Sequence, residues 1–198
     1  ALDELFPEWD MWGQFVSNVQ GSALELDSLR SSHPIQVPIV HAEEVDEVFD
    51  AISYNKGASV IRMVYRLLGD SVFRTGLRYY MRTHKYGNTV TSDLWHAWER
   101  VSSEPVGSIM KSWITQTGYP VVTVDAITRV GDKIRFQLRQ ERFFMDGSGN
   151  PTDVALWIIP IVYGTQTRLM ETRTALIEFD FESALGNKLN TDQYVPIR

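Results

Sequence analysis

The chain has 198 residues, of which 43% are apolar and 22% are charged, a composition that excludes an intrinsically disordered or fibrous protein. Its formal net charge of -6 argues against a nucleic-acid-binding surface, which normally carries a basic balance. Cysteine is absent, so a disulfide framework and a thiolate site are both excluded. No long apolar run, export signal or Asn-x-Ser/Thr sequon is visible, and we therefore expect an intracellular protein without a membrane span.

The first predicted element is a single amphipathic helix that begins after Pro7, a favoured first-turn residue. Its apolar residues recur at helical spacing and are Trp9, Trp12, Val16, Val19 and Ala23. Pro34 and Pro38 follow within a few residues of each other and push their predecessors out of the α region, which predicts an extended connector.

Four further helices are predicted in the part of the chain that ends near residue 118. The first of them should turn Val60 and Val64 toward the core and Ser59, Arg62 and Arg66 toward solvent, and it should end at Gly69. Asp70 is expected to cap the next helix, whose buried side is predicted to include Phe73, Leu77, Tyr80 and Met81. The last two helices should begin after Thr91 and after Pro105.

After Gly118 and Pro120, which together stop a helix, the sequence reads as strands. Ile134, Phe136 and Leu138 alternate with charged or polar residues. The same alternation is predicted to place Ala175, Ile177, Phe179 and Phe181 on one face of a later strand. An apolar run over 154–163 contains Pro160, which predicts an edge strand or a bulge. The expected fold class is therefore α+β in two segments, with helices over 1–118 and a small antiparallel β-sandwich over 119–198.

Polar clusters offer candidate sites, but a structural role is favoured for each. The four histidines form no H-x-x-x-H pair and are His33, His41, His84 and His96. Ser31, Ser32 and His33 cannot converge on one substrate atom, because adjacent residues of an extended segment point to opposite faces. We expect no metal site among these residues.

Two charged groups are also interpreted as structural features. A stripe with helical spacing is predicted to be a solvated helix face and contains Arg74, Arg78, Arg82 and Lys85. An acidic group lacks the spacing of a calcium loop and contains Glu43, Glu44, Asp46, Glu47 and Asp50. Its expected role is to place negative charge before a helix N-terminus.

The stretch "FDAISYNKGAS" is an unusual start for a helix, since it holds Tyr54 and Gly57 where better helix formers would be expected. Composition and spacing leave two readings of Tyr54 open. It is either ordinary core or groove material, which spacing favours, or a group that takes part in chemistry.

Four consecutive segments resemble landmarks of the zinc aminopeptidases of the aminopeptidase N type, nearest to the puromycin-sensitive, cytosolic branch. They are "LRSSHPIQVPI", "VFDAISYNKGASVIRMVYRLLG", "KYGNTVTSDLW" and "IMKSWITQTGYPVVTV". The resemblance covers nearly the whole chain. It implies a helical C-terminal part of a thermolysin-like catalytic domain followed by a β-sandwich, peptide substrates and a cytoplasmic location.

In that family the tyrosine of the Y-x-K-G motif, here Tyr54, donates its hydroxyl to the oxyanion formed when a zinc-bound water attacks the scissile peptide. A phenol suits this role because it stays protonated at neutral pH. Phe49 matches an aromatic position that lines the pocket for the substrate's N-terminal side chain.

The family's H-E-x-x-H zinc site and its G-x-M-E-N motif have no counterpart in this chain. The resemblance therefore implies an internal fragment that binds no zinc and is inactive alone, with zinc belonging to the intact parent. Apolar helix faces that had packed on the absent part should promote self-association. The alternative reading is a non-catalytic helical-plus-sandwich interaction or scaffold module.

Overall fold

A computed structural model describes residues 2–39, 41, 49–147, 149, 153–181 and 188–198. Within these residues the helices come first and the strands follow, in the order α1 (Leu2–Leu5), α2 (Met11–Gln14), α3 (Gly21–Asp27), α4 (Gly57–Leu68), α5 (Asp70–Thr83), α6 (Thr91–Glu99), α7 (Val106–Ile114), β1 (Pro120–Val130), β2 (Lys133–Arg142), β3 (Ile159–Tyr163), β4 (Gln166–Met170) and β5 (Thr174–Asp180). Two π-helical segments, Phe15–Gln20 and Ile52–Lys56, run directly into α3 and α4. This order confirms the predicted α+β class.

The single N-terminal helix predicted from the sequence is interrupted at Asp10. The backbone of Asp10 is left-handed, with φ of 46°, a conformation that Asp tolerates better than most residues. Its carboxylate accepts the N–H of Gly13 at 3.2 Å and thereby caps α2. The prediction of one continuous helix from Pro7 is wrong here, because the chain restarts its helix at Met11.

Helices α4 and α5 meet at Gly69, whose φ of 74° ends α4 as predicted. Asp70 is the first residue of α5 rather than its cap, and its carboxylate accepts a hydrogen bond from Arg74 Nε at 2.7 Å. Met81 was predicted to be buried but is 64% exposed. Helix α5 packs on the ring of Trp98 at Gly76, and Met81 lies about 140° around the helix from that contact.

Both sides of α4 are covered, which corrects the prediction that Ser59 and Arg62 face solvent. Val60 and Val64 are buried as expected, but Ser59 and Arg62 are buried too. The Arg62 guanidinium lies 4.5 Å from the centre of the Tyr194 ring, and it donates hydrogen bonds to the carbonyls of residues 192 and 193. The C-terminal segment therefore covers the side of α4 that periodicity assigned to solvent.

The strands form two antiparallel sheets, a three-stranded sheet in the order β1-β2-β5 and a two-stranded sheet of β3 and β4. Gly131, with φ of 60°, makes the turn between β1 and β2. Phe136 and Leu138 are buried on the inner side of β2, as the alternation predicted. Pro160 lies in the two-stranded sheet, which confirms the predicted edge position.

One cluster of buried side chains joins the helices to the strands. Its members from both parts include Val60, Val64, Trp98, Ile109, Trp113, Leu138, Trp157 and Phe179. Trp113 of α7 also donates its ring N–H to the carbonyl of Ile158 at 2.9 Å. Helix α4 is thus packed against a core that spans helices and strands, and it fixes the position of the segment Ile52–Lys56 that leads into it. Among the described residues, no helix has the length and apolar character needed to cross a bilayer.

Candidate active site

A cavity of about 470 Å³ opens at the N-terminal end of α4. Most of its walls are apolar and come from the connector after α3, from α4 and from α6 and α7; its lining residues are Ile35, Gln36, Val37, Ile39, Phe49, Ser53, Tyr54, Gly57, Val60, Ile61, Thr91, Trp95, Met110 and Ile114. A concave, largely apolar cavity with a few polar groups is typical of a small-ligand site. Tyr54 and Phe49, the two residues singled out in the sequence, both belong to this wall.

The π-helical segment Ile52–Lys56, which we call the Tyr54 turn, is fixed at its start by Asp50. One carboxylate oxygen of Asp50 accepts the N–H groups of Ile52 at 2.9 Å and Ser53 at 3.0 Å. The Asp50 carbonyl accepts the N–H of Tyr54 at 3.1 Å. These bonds satisfy donors that the start of a helix leaves free. Single π-helical turns are frequent at functional sites, and this one carries the candidate tyrosine.

Tyr54 is presented to the cavity rather than packed into the core. The residue is 62% exposed and Phe49 is 59% exposed, and their ring centres lie 6.1 Å apart. Within the part of the chain that the structure describes, no hydrogen bond engages the Tyr54 hydroxyl. This position excludes a core tyrosine and agrees both with a groove tyrosine and with a group that takes part in chemistry. The phenol is available to donate to a bound ligand.

His33 links the connector to the Tyr54 turn through Asp50. Its Nε2 lies 2.9 Å from the second carboxylate oxygen of Asp50, and its Nδ1 lies 2.8 Å from the carbonyl of Pro34. Partial burial disfavours the imidazolium, but these two acceptors outweigh it and raise the pKa of His33. Burial likewise opposes the ionised form of Asp50, yet the backbone N–H groups and His33 lower the pKa of this carboxyl. The pair therefore favours a charged imidazolium on a charged carboxylate.

Lys56, the last residue of the Tyr54 turn, forms an ion pair in the interior with Asp27 at the end of α3. Lys56 Nζ lies 2.8 Å from Asp27 Oδ2, and the two side chains are 1% and 0% exposed. The ammonium also donates to the carbonyl of Gly118 at 2.9 Å. Asp27 Oδ1 accepts the N–H of Gly118 at 2.9 Å and the hydroxyl of Ser32 at 2.7 Å. Burial lowers the pKa of Lys56, and Asp27 opposes that shift.

This ion pair was not predicted from the sequence, although one signal pointed to it. Lys56 lies four and eight residues before Val60 and Val64, so it shares the apolar face of α4. A lysine on such a face needs a buried counter-charge. Its partner Asp27 could not be chosen from spacing, because the two residues are brought together only by the tertiary fold.

Among the remaining candidates, His84 is not one of the residues that line the cavity. His84 stacks loosely on Tyr80 at the end of α5, with ring centres 5.3 Å apart. The acidic group predicted before α4 lies outside the described residues, apart from Asp50. Across the described ranges, no three His, Cys, Asp or Glu side chains are grouped so that they could hold a metal ion.

Comparison with known proteins gives consistent matches over most of the chain. Residues 1–113 match the family described as the peptidase family M1 domain. Aminopeptidase M1-D of Oryza sativa subsp. japonica is 45% identical over 176 residues, which are 89% of this chain and 19% of that protein. Probable aminopeptidase 2 of Sulfurisphaera tokodaii is 42% identical over 183 residues, 92% of this chain and 22% of that protein.

A third relative is named as an interacting factor and not as an aminopeptidase. Tricorn protease-interacting factor F2 of Thermoplasma volcanium is 40% identical over 182 residues, which are 90% of this chain and 22% of that protein. The chain thus spans about a fifth of the length of the curated relatives it matches.

Proposed function

The chain belongs to peptidase family M1, as its motifs had indicated, and from this premise we propose that it is part of a cytoplasmic aminopeptidase that removes N-terminal residues from peptides. The names of its relatives support the reaction class, and the site supports a role within it. The observation that carries the proposal is the exposed phenol of Tyr54, which lies on the wall of an apolar cavity and makes no hydrogen bond to a residue that the structure describes.

In the proposed reaction Tyr54 donates its hydroxyl to the oxyanion that forms when the scissile carbonyl is attacked. The hydroxyl is an O–H donor that carries no charge, so it can approach a carbonyl oxygen without an ion-desolvation cost. The Asp50 cap holds the backbone of the turn in advance of the reaction. Donors held in place before charge develops are the most effective kind, because they need no reorganisation.

Phe49 is proposed to form part of the wall against which the N-terminal side chain of the substrate packs. Phe49 is 59% exposed and its ring centre lies 6.1 Å from that of Tyr54, so a ligand bound at the phenol can also contact this ring. Burying an aromatic ring of this kind contributes binding energy through the apolar area removed from water.

The zinc that the family resemblance implies does not fit the described residues, since they contain no group of His, Cys, Asp or Glu that could hold a metal. We therefore assign no step of the reaction to residues of this chain acting on a metal. We propose that the zinc site lies in another part of the larger protein and that these 198 residues alone hydrolyse no peptide.

The decisive experiment is the substitution Tyr54→Phe in the intact protein, assayed on an amino-acid anilide. Loss of one oxyanion donor is expected to lower kcat by about 100- to 1000-fold while KM changes little. Tyr86→Phe is the matched control, because Tyr86 is fully exposed and lies outside the cavity. Wild-type turnover of the Tyr54→Phe protein would overturn the assigned role. If the intact, zinc-supplied protein hydrolyses no anilide at all, the non-catalytic module is the better reading.

A further inference from the structure

The Tyr54 turn is held at both of its ends, and the two attachments differ in their surroundings. At the start, Asp50 and His33 form a pair whose side chains are about a third exposed. At the end, Lys56 reaches away from the cavity into the interior, where its ammonium and Asp27 are closed off from solvent. Lys56 comes two positions after Tyr54, so the buried side chain and the exposed one leave the turn on opposite sides.

We propose that Lys56 and Asp27 are positioning residues, which act through the Tyr54 turn to set the place of the Tyr54 hydroxyl at the cavity. This inference rests on the proposed function of Tyr54. It adds two residues that take no part in the bond-breaking step but hold the tyrosine in place for it. The substrate touches neither residue, so both act only through the tyrosine.

Three separate segments meet at this ion pair, so the end of the Tyr54 turn is held in one position. Asp27 closes α3, Lys56 closes the Tyr54 turn, and Gly118 belongs to the link between α7 and β1. Gly118 contributes both its N–H to Asp27 and its carbonyl to Lys56. Asp27 Oδ1 accepts two hydrogen bonds and the Lys56 ammonium donates to Gly118, whereas Asp27 Oδ2 makes no hydrogen bond within the described residues and is balanced by the charge of Lys56. Two buried charges that depend on each other in this way restrict the arrangements that the turn can adopt.

The conformation of the turn explains why such an anchor matters. A π-helical turn accommodates one residue more than the α-helix that follows it, and it is rare without support from its surroundings. If the turn reverted to an α-helical register, Tyr54 and the residues before it would rotate relative to α4, by up to about 100° for the residues that precede the turn. The Tyr54 hydroxyl would then leave the cavity wall, although the fold around it could persist. A displacement of about 1 Å from a catalytic position can cost about 100-fold in rate.

The test is a cycle of variants in the intact protein, with kcat and KM measured on an amino-acid anilide. Lys56→Met keeps the length of the side chain and removes the ammonium. Arg62→Met is the matched control, because Arg62 is a buried cation of the neighbouring helix whose carbonyl partners lie in the C-terminal segment and not at the turn. Circular dichroism and thermal melting establish the temperature at which every variant is folded.

We expect Lys56→Met to lower kcat by about 10- to 100-fold with KM changed less than about 3-fold. In the Tyr54→Phe background the same substitution should change kcat less than about 2-fold, because residues that act as one unit are not additive. Arg62→Met should leave kcat within about 3-fold of the wild type. Asp27→Asn, which keeps the acceptor for Ser32 and Gly118, should repeat the effect of Lys56→Met and serves if the latter does not fold.

Three results would overturn the inference: wild-type kcat in a folded Lys56→Met or Asp27→Asn protein, an undiminished loss in the Tyr54→Phe background, or an equal loss in Arg62→Met. The failure of the proposed function is a separate result, since it appears as wild-type turnover in Tyr54→Phe alone.

Discussion

Replacing Lys56 by Met should lower the stability of the protein through one identifiable cause, an uncompensated carboxylate in the interior. The Met side chain fills most of the space of the lysine stem, so little packing is lost. Asp27 keeps the Gly118 N–H and the Ser32 hydroxyl on one oxygen but loses the cation 2.8 Å from the other. Neither oxygen can recruit water easily, because the side chain is 0% exposed.

The expected magnitude follows from this burial. Removing one partner of a buried ion pair costs about 3–5 kcal/mol of unfolding free energy. For a chain of this size each kcal/mol corresponds to about 2–4 °C in melting temperature, so a decrease of about 6–20 °C is expected. Combining Lys56→Met with Asp27→Asn removes the unpaired charge and leaves only an unsatisfied amide, for which the net cost should be about 1–3 kcal/mol.

Thermal and urea unfolding of the wild type, the two single variants and the double variant would measure these differences. The double variant should be more stable than Lys56→Met alone, which is the reverse of what independent sites would give. A loss below about 1 kcal/mol in Lys56→Met, or a double variant that is less stable than both singles, would refute the reasoning.

Three further predictions concern other parts of the molecule. His33→Gln should lower the melting temperature more at pH 6 than at pH 8.5. The lowered pKa of Asp50 stabilises the folded protein at pH values above 3.8, the ordinary pKa of this carboxyl. The raised pKa of His33 stabilises it below pH 6.5, and this contribution is lost as the pH rises through the pKa of His33 in the folded protein. About a third of each side chain is exposed, so the effect on the free energy of unfolding should be below about 1 kcal/mol. Gly118→Ala should destabilise the protein by more than about 1 kcal/mol in urea unfolding, because φ at Gly118 is 86° and a Cβ would lie 2.3 Å from Arg142 Nε; no change would show that the link relaxes freely. The 198-residue chain should self-associate through exposed apolar side chains in and after α1, such as Leu5 and Trp9. Sedimentation should then show a mass that rises with concentration, whereas one constant monomer mass would count against this.

The sequence predicted those features that depend on local periodicity. The core side of α4 and the alternation along β2 and β5 were read correctly, because burial on one face imposes a fixed repeat. The end of α4 was found because only glycine adopts the backbone of residue 69 without strain. The residues that form these elements are sufficient to predict them, without knowledge of their tertiary contacts.

Features that depend on distant segments were missed or predicted incorrectly. Arg62 was assigned to solvent because periodicity cannot foresee that the C-terminal segment covers that side of α4. Spacing favoured a core or groove role for Tyr54, which became a functional candidate only through the family resemblance. The buried ion pair of Lys56 and Asp27 was not predicted, because each buried charge is stabilised by the other and not by residues near it in the sequence.

The double role of Gly118 has a practical consequence for anyone who wishes to dissect the protein. The last helix ends at Ile114, and the first strand begins at Pro120, so the short link between them looks like a convenient place to cut. A cut there would remove the carbonyl that receives the Lys56 ammonium and the N–H that Asp27 accepts. The helical part would lose two hydrogen bonds beneath its own tyrosine. A shortened protein that is meant to keep the Tyr54 turn intact should therefore include the link and the start of β1.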